Sequence, residues 1–201
     1  PYFSGSQITS YEEIVVERHA GKESFAGACD DMRVGISLIF YLLNAGDYLN
    51  VCRKGMLRDL NTSLSLSGLA DSGTIILPLN KDIKQAEADK RQSQQRNSLL
   101  AAARNGDEEA MESLTMEDID IYTMISRRIQ HEDVYSIVDS YLMPYGIECD
   151  QYNLMGEITE CNTTVNSATG EKLYQLGLLT NDIPLDICIN AKDLYGIPEV
   201  G

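Results

Sequence analysis

Alternating hydrophobic and polar side chains in the first part of the chain predict β-strands. Residues 11–19 are rich in β-branched side chains and partly alternate, and residues 23–29 follow after a short turn. Residues 34–43 form an uncharged apolar run that is also long enough for a helix. Their β-branched and aromatic content, after two hairpin-like breaks, favours a strand.

The next segments predict one helix and one hairpin. Residues 44–54 read as a short helix, and Gly55 is suited to end it because glycine tolerates a left-handed backbone. Residues 64–67 alternate cleanly, and residues 74–77 follow after a turn. This pair predicts a β-hairpin.

A polar segment then interrupts the hydrophobic pattern. Residues 84–98 contain no apolar side chain larger than Ala86 and Ala88, although their Lys, Gln, Ala, Arg and Glu residues favour a helix. A segment without an apolar face cannot form part of a core. We therefore expect a solvated helical arm that ends at Asn105-Gly106 and joins two folded parts.

Helical patterns follow the arm. Asp107 is placed to cap an acidic helix that ends at Leu114, and residues 115–118 predict the start of a second helix that runs to about residue 130. Its apolar side chains recur at helical spacing, at Ile119, Tyr122, Ile125 and Ile129. Residues 134–141 fit a helix or a strand.

The last quarter returns to β-structure. Residues 154–161, 171–179 and 185–189 predict three short strands, and residues 190–195 predict one helical turn. Such strands suggest a small meander or part of an OB-like barrel. Because three strands make a thin sheet, we expect it to pack on the helices or on the first half.

Together these patterns predict an α+β protein in three parts. A β-rich N-terminal module covers residues 1–79, the polar arm and central helices cover residues 80–146, and a small antiparallel β module, either a meander or OB-like, covers residues 147–201.

Charge is distributed unevenly along these parts. The net charge is −3 over residues 1–79, +3 over residues 80–105 and −15 over residues 106–201, within a total of −15. A strongly acidic body repels nucleic-acid phosphates and anionic lipid, which argues against both as general partners. The longest apolar run is far shorter than the roughly 20 residues that a membrane span needs.

Cysteine content and motifs indicate a reducing compartment and no cofactor. The five cysteines are scattered and odd in number, and they form no CxxC pair. We therefore expect buried free thiols in a cytoplasmic protein. The sequence contains no phosphate-binding glycine loop and no GxSxG motif. It predicts no metal, no cofactor and no catalytic residue.

Several runs resemble landmarks of a known family. They are residues 17–19, 35–42, 106–110, 148–152 and 193–196. The family is a set of uncharacterised bacterial proteins, mainly from anaerobic gut Firmicutes, that carry a domain of unknown function. The resemblance implies a cytosolic bacterial protein whose full length extends beyond both ends seen here. It supplies no activity, substrate or catalytic residue.

Two groups of residues deserve comparison with simpler explanations. Glu17 and His19 share a strand face and could bind a metal or transfer protons, but we favour a solvated strand end, because one histidine with glutamate neighbours is a common surface pattern. Cys29 and His19 could form a nucleophile and base only if the fold brings them together.

The basic arm is the one segment with clear potential for a partner. Its candidate contact residues are Lys84, Lys90, Arg91, Arg96 and Arg104. They could bind an acidic partner or a nucleic acid, although the arm lacks the interleaved aromatic side chains that single-strand binders use. Residues 107–120, however, carry seven acids and no base. Folding back at Asn105-Gly106 would pair the arm with those acids, and we favour this internal pairing.

The leading hypothesis is a cytoplasmic, non-catalytic binding or assembly protein with an acidic surface, which binds a protein partner or itself. The first alternative is an enzyme that depends on the Cys29 thiol or on Glu17 and His19. The second is an OB-like oligonucleotide binder.

Overall fold

The computed structural model describes residues 3–19, 23–55, 63–76, 91, 95, 96, 98, 99, 101–103, 105–128, 131, 138–146 and 149–201. The chain divides into two compact units, one of residues 1–75 and 141–201 and the other of residues 76–140. The sequence predicts breaks near residues 79 and 146, and the structure changes unit at 75–76 and 140–141. The predicted first and third modules therefore lie in the same unit. The α+β class is confirmed.

A three-stranded antiparallel meander begins the first unit. Its strands are β1 (Ile14–Arg18), β2 (Phe25–Asp31) and β3 (Ile36–Tyr41), in that spatial order. The strand prediction for residues 34–43 is confirmed, because Leu38 is buried opposite Cys29 while its neighbour Ser37 is exposed. This alternation suits a sheet with one buried face.

The predicted helix after the meander is also confirmed. Helix α1 covers Ala45–Arg53, and Gly55 follows it with a φ angle of 67°. The left-handed backbone at this position explains why a glycine ends the helix.

A four-stranded mixed sheet forms the other large element of this unit. Strand β4 (Ser67–Ala70) comes from the first half of the chain, and it lies parallel to β10 (Ile183–Asn190). Antiparallel to β10 lies β9 (Lys172–Thr180), and β8 (Glu157–Val165) forms the far edge. The expectation that the C-terminal strands pack on the first half is thus confirmed. The strand order β4-β10-β9-β8 is open, whereas an OB-like barrel closes on itself.

Two local predictions around this sheet are wrong. The predicted hairpin of residues 64–67 and 74–77 does not form, because β4 pairs with β10 and β5 (Gly73–Thr74) pairs in parallel with β11 (Leu194–Tyr195). Residues 194–195 therefore form a short strand, and not the end of the predicted helical turn. Alternation indicates an extended backbone but does not identify its partner.

A small hairpin and a shared core complete the first unit. Strand β6 (Tyr141–Pro144) pairs with β7 (Tyr152–Met155) in an antiparallel hairpin. One core cluster draws on both halves of the sequence, through Cys29, Leu38, Leu64, Leu142, Ile183 and Leu185. A second cluster lies within the four-stranded sheet, at Ile158, Leu176, Leu178 and Ile189.

The second unit contains a long acidic helix. Helix α2 covers Glu108–Arg128, and the side chain of Asp107 accepts hydrogen bonds from the backbone N–H groups of Glu109 and Ala110. The predicted cap at Asp107 is confirmed. The prediction that a second helix starts at residue 115 is wrong, because α2 runs through this residue without a break. Inside the helix, the Thr115 hydroxyl donates to the Met111 carbonyl one turn earlier. Among the described residues, no helix is long and apolar enough to cross a membrane.

Candidate functional site

A buried carboxylate lies at the end of β2. The side chain of Asp31 is 2% exposed, and Arg33 follows two residues later in the connection to β3. Arg33 donates to the two Asp31 oxygens, from Nε at 2.9 Å and from Nη2 at 2.6 Å. The hydroxyl of Ser10 donates to Asp31 Oδ2 at 2.7 Å. Such charge-assisted, two-pronged bonds are stronger than hydrogen bonds between neutral groups.

The same arginine connects three segments of the first unit. Its Nη2 donates to the Thr9 carbonyl and its Nη1 to the Asp182 carbonyl, each at 2.8 Å. Asp182 lies in the turn between β9 and β10, where its φ angle is 60°. Burial alone would raise the pKa of Asp31, but hydrogen bonds from Arg33 and Ser10 outweigh burial and hold that pKa below its ordinary value. The network therefore keeps an ionised, fully bonded carboxylate that fixes the fold.

A second buried carboxylate holds the N-terminal segment. Asp186, in β10, is 7% exposed, and it accepts hydrogen bonds from the backbone N–H groups of Ser6 and Gln7 at 2.7 and 2.9 Å. The Gln7 side-chain amide donates to its other oxygen at 3.1 Å. A Cβ atom on Gly5 would lie 2.2 Å from Asp186 Oδ2, so only glycine permits this approach.

The geometry does not bring the predicted Cys29 and His19 pair together. Cys29 is fully buried, and desolvation by burial raises the pKa of its thiol. Strand β1 pairs Ile14 with Cys29, whereas the backbone of His19 bonds to Ser24. Five residues of strand therefore separate Cys29 from Ser24, about 17 Å along the strand. A buried thiol with a raised pKa is a poor nucleophile.

Glu17 and His19 both lie exposed at the end of the meander. No group of three His, Cys, Asp or Glu side chains placed to hold a metal ion occurs in the part of the chain that the structure describes. An open depression beside the β2–β3 connection is lined by Asp30, Asp31, Met32, Gly35, Ile36 and Ser37. Glu17, His19 and Cys29 do not line it.

The arm and α2 meet through an ion pair. Arg96 Nη2 lies 2.8 Å from Asp118 Oδ1, and Arg96 Nη1 lies 3.8 Å from Glu117 Oε2. The favoured internal pairing of arm and acidic segment therefore occurs at Arg96. Arg91 is helical and exposed. The other predicted contact residues, Lys84, Lys90 and Arg104, lie outside the described residues.

The outer face of α2 carries acids and apolar side chains together. Ala110 and Leu114 are buried on one side of the helix. At 3.6 residues per turn, Glu108, Glu112, Met116 and Ile119 lie on the opposite side. Both glutamates are exposed, Met116 is 59% exposed and Ile119 is 54% exposed. We call these four residues the outer face.

Sequence reasoning missed the two buried carboxylates. Asp31 and Arg33 read as turn residues, because acidic and basic side chains between strands are usually solvated. Asp186 follows Leu185 in an apolar run, and a lone acid inside a predicted strand is the one signal that could have identified it. Its partners lie 179 and 180 residues away in sequence, so no local pattern reveals them.

The fold and these sites define a class of protein: an α+β protein with a three-stranded sheet, a four-stranded sheet and two short strand pairs in one unit and an acidic helix in the other. The chain belongs to the family described as domain of unknown function, E. rectale gene description (DUF3881), whose model matches residues 1–201. The predicted resemblance to a family with a domain of unknown function is confirmed. No curated protein and no solved structure matches the chain.

Proposed function

We propose that this protein is a non-catalytic binding module of the cytoplasm, and that the outer face of α2 binds a basic amphipathic segment of a partner protein. The observation that carries the proposal is the mixture of Glu108, Glu112, Met116 and Ile119 on one exposed face. The five free cysteines suit a reducing compartment.

The apolar members of the outer face support a protein partner. Exposed apolar side chains that occur singly need no explanation, but Met116 and Ile119 lie three residues apart, on the side of the helix opposite buried Leu114. Methionine adapts its shape to varied partners, which makes it common on surfaces that bind amphipathic helices.

The acidic members support a basic partner. Glu108 and Glu109 lie in the first turn of α2, and Glu112 follows one turn later. Arg96 already shows that a guanidinium binds acids of this helix, at Asp118 and Glu117. A partner helix with apolar residues on one side and Lys or Arg beside them would match both properties of the outer face.

The arm offers a second contact that follows from the same hypothesis. We propose that Lys84, Lys90, Arg91, Arg96 and Arg104 contact acidic groups, within this chain or on its partner. Arg96 makes such a contact within the chain.

A peptide-binding experiment tests the outer face. The probe is a fluorescently labelled amphipathic helix of lysine and leucine, and its anisotropy is measured against the whole chain at low and at high salt. We expect Glu108→Gln with Glu112→Gln to weaken binding about fivefold, since each exposed ion pair contributes about 0.5 kcal/mol. Met116→Gln with Ile119→Gln should weaken binding at both salt concentrations.

The matched control neutralises two acids on another surface. Glu157 and Glu160 are exposed on β8, and Glu157→Gln with Glu160→Gln changes the net charge equally. If this control weakens binding as much as the outer-face variants do, the peptide responds only to overall acidity. That result, or no binding at low salt, would overturn the proposal.

A further inference from the structure

The hydroxyl of Tyr152 occupies the outer edge of β3. The Tyr152 oxygen accepts the Ile39 N–H at 2.6 Å and donates to the Ile39 carbonyl at 3.2 Å. One phenol group thereby satisfies both backbone groups of a single residue. An adjacent strand would normally make these two bonds.

The register of the meander shows that the backbone groups of Ile39 point towards the outer edge of the sheet. The Leu42 N–H bonds to the Phe25 carbonyl, so in this antiparallel pair the even-numbered residues of β3 bond to β2. Ile39 pairs with Ala28 at a position without hydrogen bonds, and its N–H and C=O groups point away from β2. The Tyr152 ring is held in place because it packs against the core that contains Leu38.

The β3 edge is chemically suited to strand pairing. Its sequence, ISLIFY, contains no charge, no proline and no glycine. The opposite edge of the same sheet, β1, carries Glu17 and Arg18. Charged side chains commonly protect exposed edges, and uncharged segments of six or seven residues with strong β-propensity pair readily with copies of themselves.

We propose that the outer edge of β3 is a strand-pairing surface that Tyr152 keeps closed, and that its partner, once Tyr152 is removed, is β3 of a second copy of this chain. Antiparallel pairing centred on Ile39 would let the two copies of Ile39 exchange both backbone bonds. The same pairing places Ser37 of each copy opposite Tyr41 of the other. The interface is therefore two-fold symmetric.

The first test opens the edge. Tyr152→Ala removes both the hydroxyl and the ring, and we expect the average mass from light scattering to rise with concentration to about twice that of the control. The control is Tyr174→Ala, which removes a half-buried tyrosine from β9, in the other sheet. Equal masses for the two variants at every concentration would overturn the proposal.

Charge substitutions test whether β3 is the surface that pairs. In the Tyr152→Ala background, Ser37→Lys with Tyr41→Lys places like charges directly opposite in the symmetric pair and should restore the control mass. Ser37→Lys with Tyr41→Glu places opposite charges there and should preserve the association. If both double variants behave alike, pairing through β3 is wrong.

A milder variant tests the closing contact without removing the ring. Tyr152→Phe removes only the hydroxyl, so we expect amide hydrogen exchange at Ile39 to accelerate at least about tenfold, while Tyr174→Phe leaves it unchanged. If Ile39 exchanges at the wild-type rate in Tyr152→Phe, the hydroxyl does not close the edge. This measurement tests whether the Tyr152 hydroxyl closes the edge of β3 even if Tyr152→Ala does not fold.

Discussion

The two units each contain an ion pair of similar length in very different surroundings. In the first unit Arg33 Nη2 lies 2.6 Å from Asp31 Oδ2, and in the second Arg96 Nη2 lies 2.8 Å from Asp118 Oδ1. The carboxylate side chain is 2% exposed in the first pair and 58% exposed in the second. The distances alone would rank the two pairs as equals.

The two ion pairs also differ in the hydrogen bonds that their side chains make. Asp31 also accepts from the Ser10 hydroxyl and from the Arg33 backbone N–H, and Arg33 binds two carbonyls of other segments. By contrast, Arg96 Nη1 is shielded from solvent and makes no hydrogen bond within the described structure. Breaking a buried, fully bonded pair leaves a charge without water or partner, whereas water replaces the partner of an exposed one.

The largest expected effect is on the buried pair. Asp31→Asn leaves Arg33 without its counter-ion, and we expect the free energy of unfolding to fall by about 3 kcal/mol, near the lower end for a buried pair because Arg33 is 28% exposed. Urea denaturation measures this loss. Asp30→Asn removes the same charge from the exposed neighbouring residue and should cost less than about 1 kcal/mol. Equal losses would show that burial does not distinguish the two sites.

The second effect tests Asp186, a buried carboxylate whose hydrogen bonds in the described part of the chain come from backbone and amide N–H groups. Gly5→Ala would place a Cβ atom 2.2 Å from Asp186 Oδ2, so the N-terminal segment must move away from β10. We expect a loss of about 1–3 kcal/mol, which thermal denaturation can measure.

Gly46→Ala is the control for Gly5→Ala, because Gly46 lies in α1 and a Cβ atom there would meet no atom of the described residues outside its own helix within 4 Å. It should leave the stability unchanged or raise it by up to about 0.5 kcal/mol, because Gly46 lies in the first turn of α1 and the full advantage of alanine applies to the middle of a helix. If Gly5→Ala is equally harmless, the segment is not clamped by Asp186.

The pH dependence of stability should reflect the buried pair. Because the folded pKa of Asp31 is lowered, its contribution is complete above the unfolded pKa of about 3.9 and is lost as the pH falls through the folded pKa. The difference in unfolding free energy between wild type and Asp31→Asn should therefore stay constant from neutral pH to about pH 5 and shrink in more acidic solution. A difference that grows towards acid would contradict the lowered pKa.

The contrast between the units also explains what the sequence could predict. Periodicity and caps identified β1 to β3, α1 and the Asp107 cap, because these depend on neighbouring residues. The pairing of β4 with β10 and the contacts of Asp186 depend on residues more than a hundred positions apart, and no local pattern encodes them. The charge asymmetry did anticipate the Arg96 contact, since opposite charges flank a single turn at Asn105-Gly106.

The smallest expected effect is on the exposed pair. Asp118→Asn should lower the free energy of unfolding by no more than about 1 kcal/mol at low salt, because both side chains of the pair remain accessible to water. In 1 M salt, where the screening length is about 3 Å, the loss should nearly vanish. Asp120→Asn removes an exposed acid two residues away on α2 and provides the control for net charge. If Asp118→Asn instead costs as much as Asp31→Asn at both salt concentrations, the arm contact stabilises the second unit as a buried pair would, and solvent exposure would not explain the difference between the units.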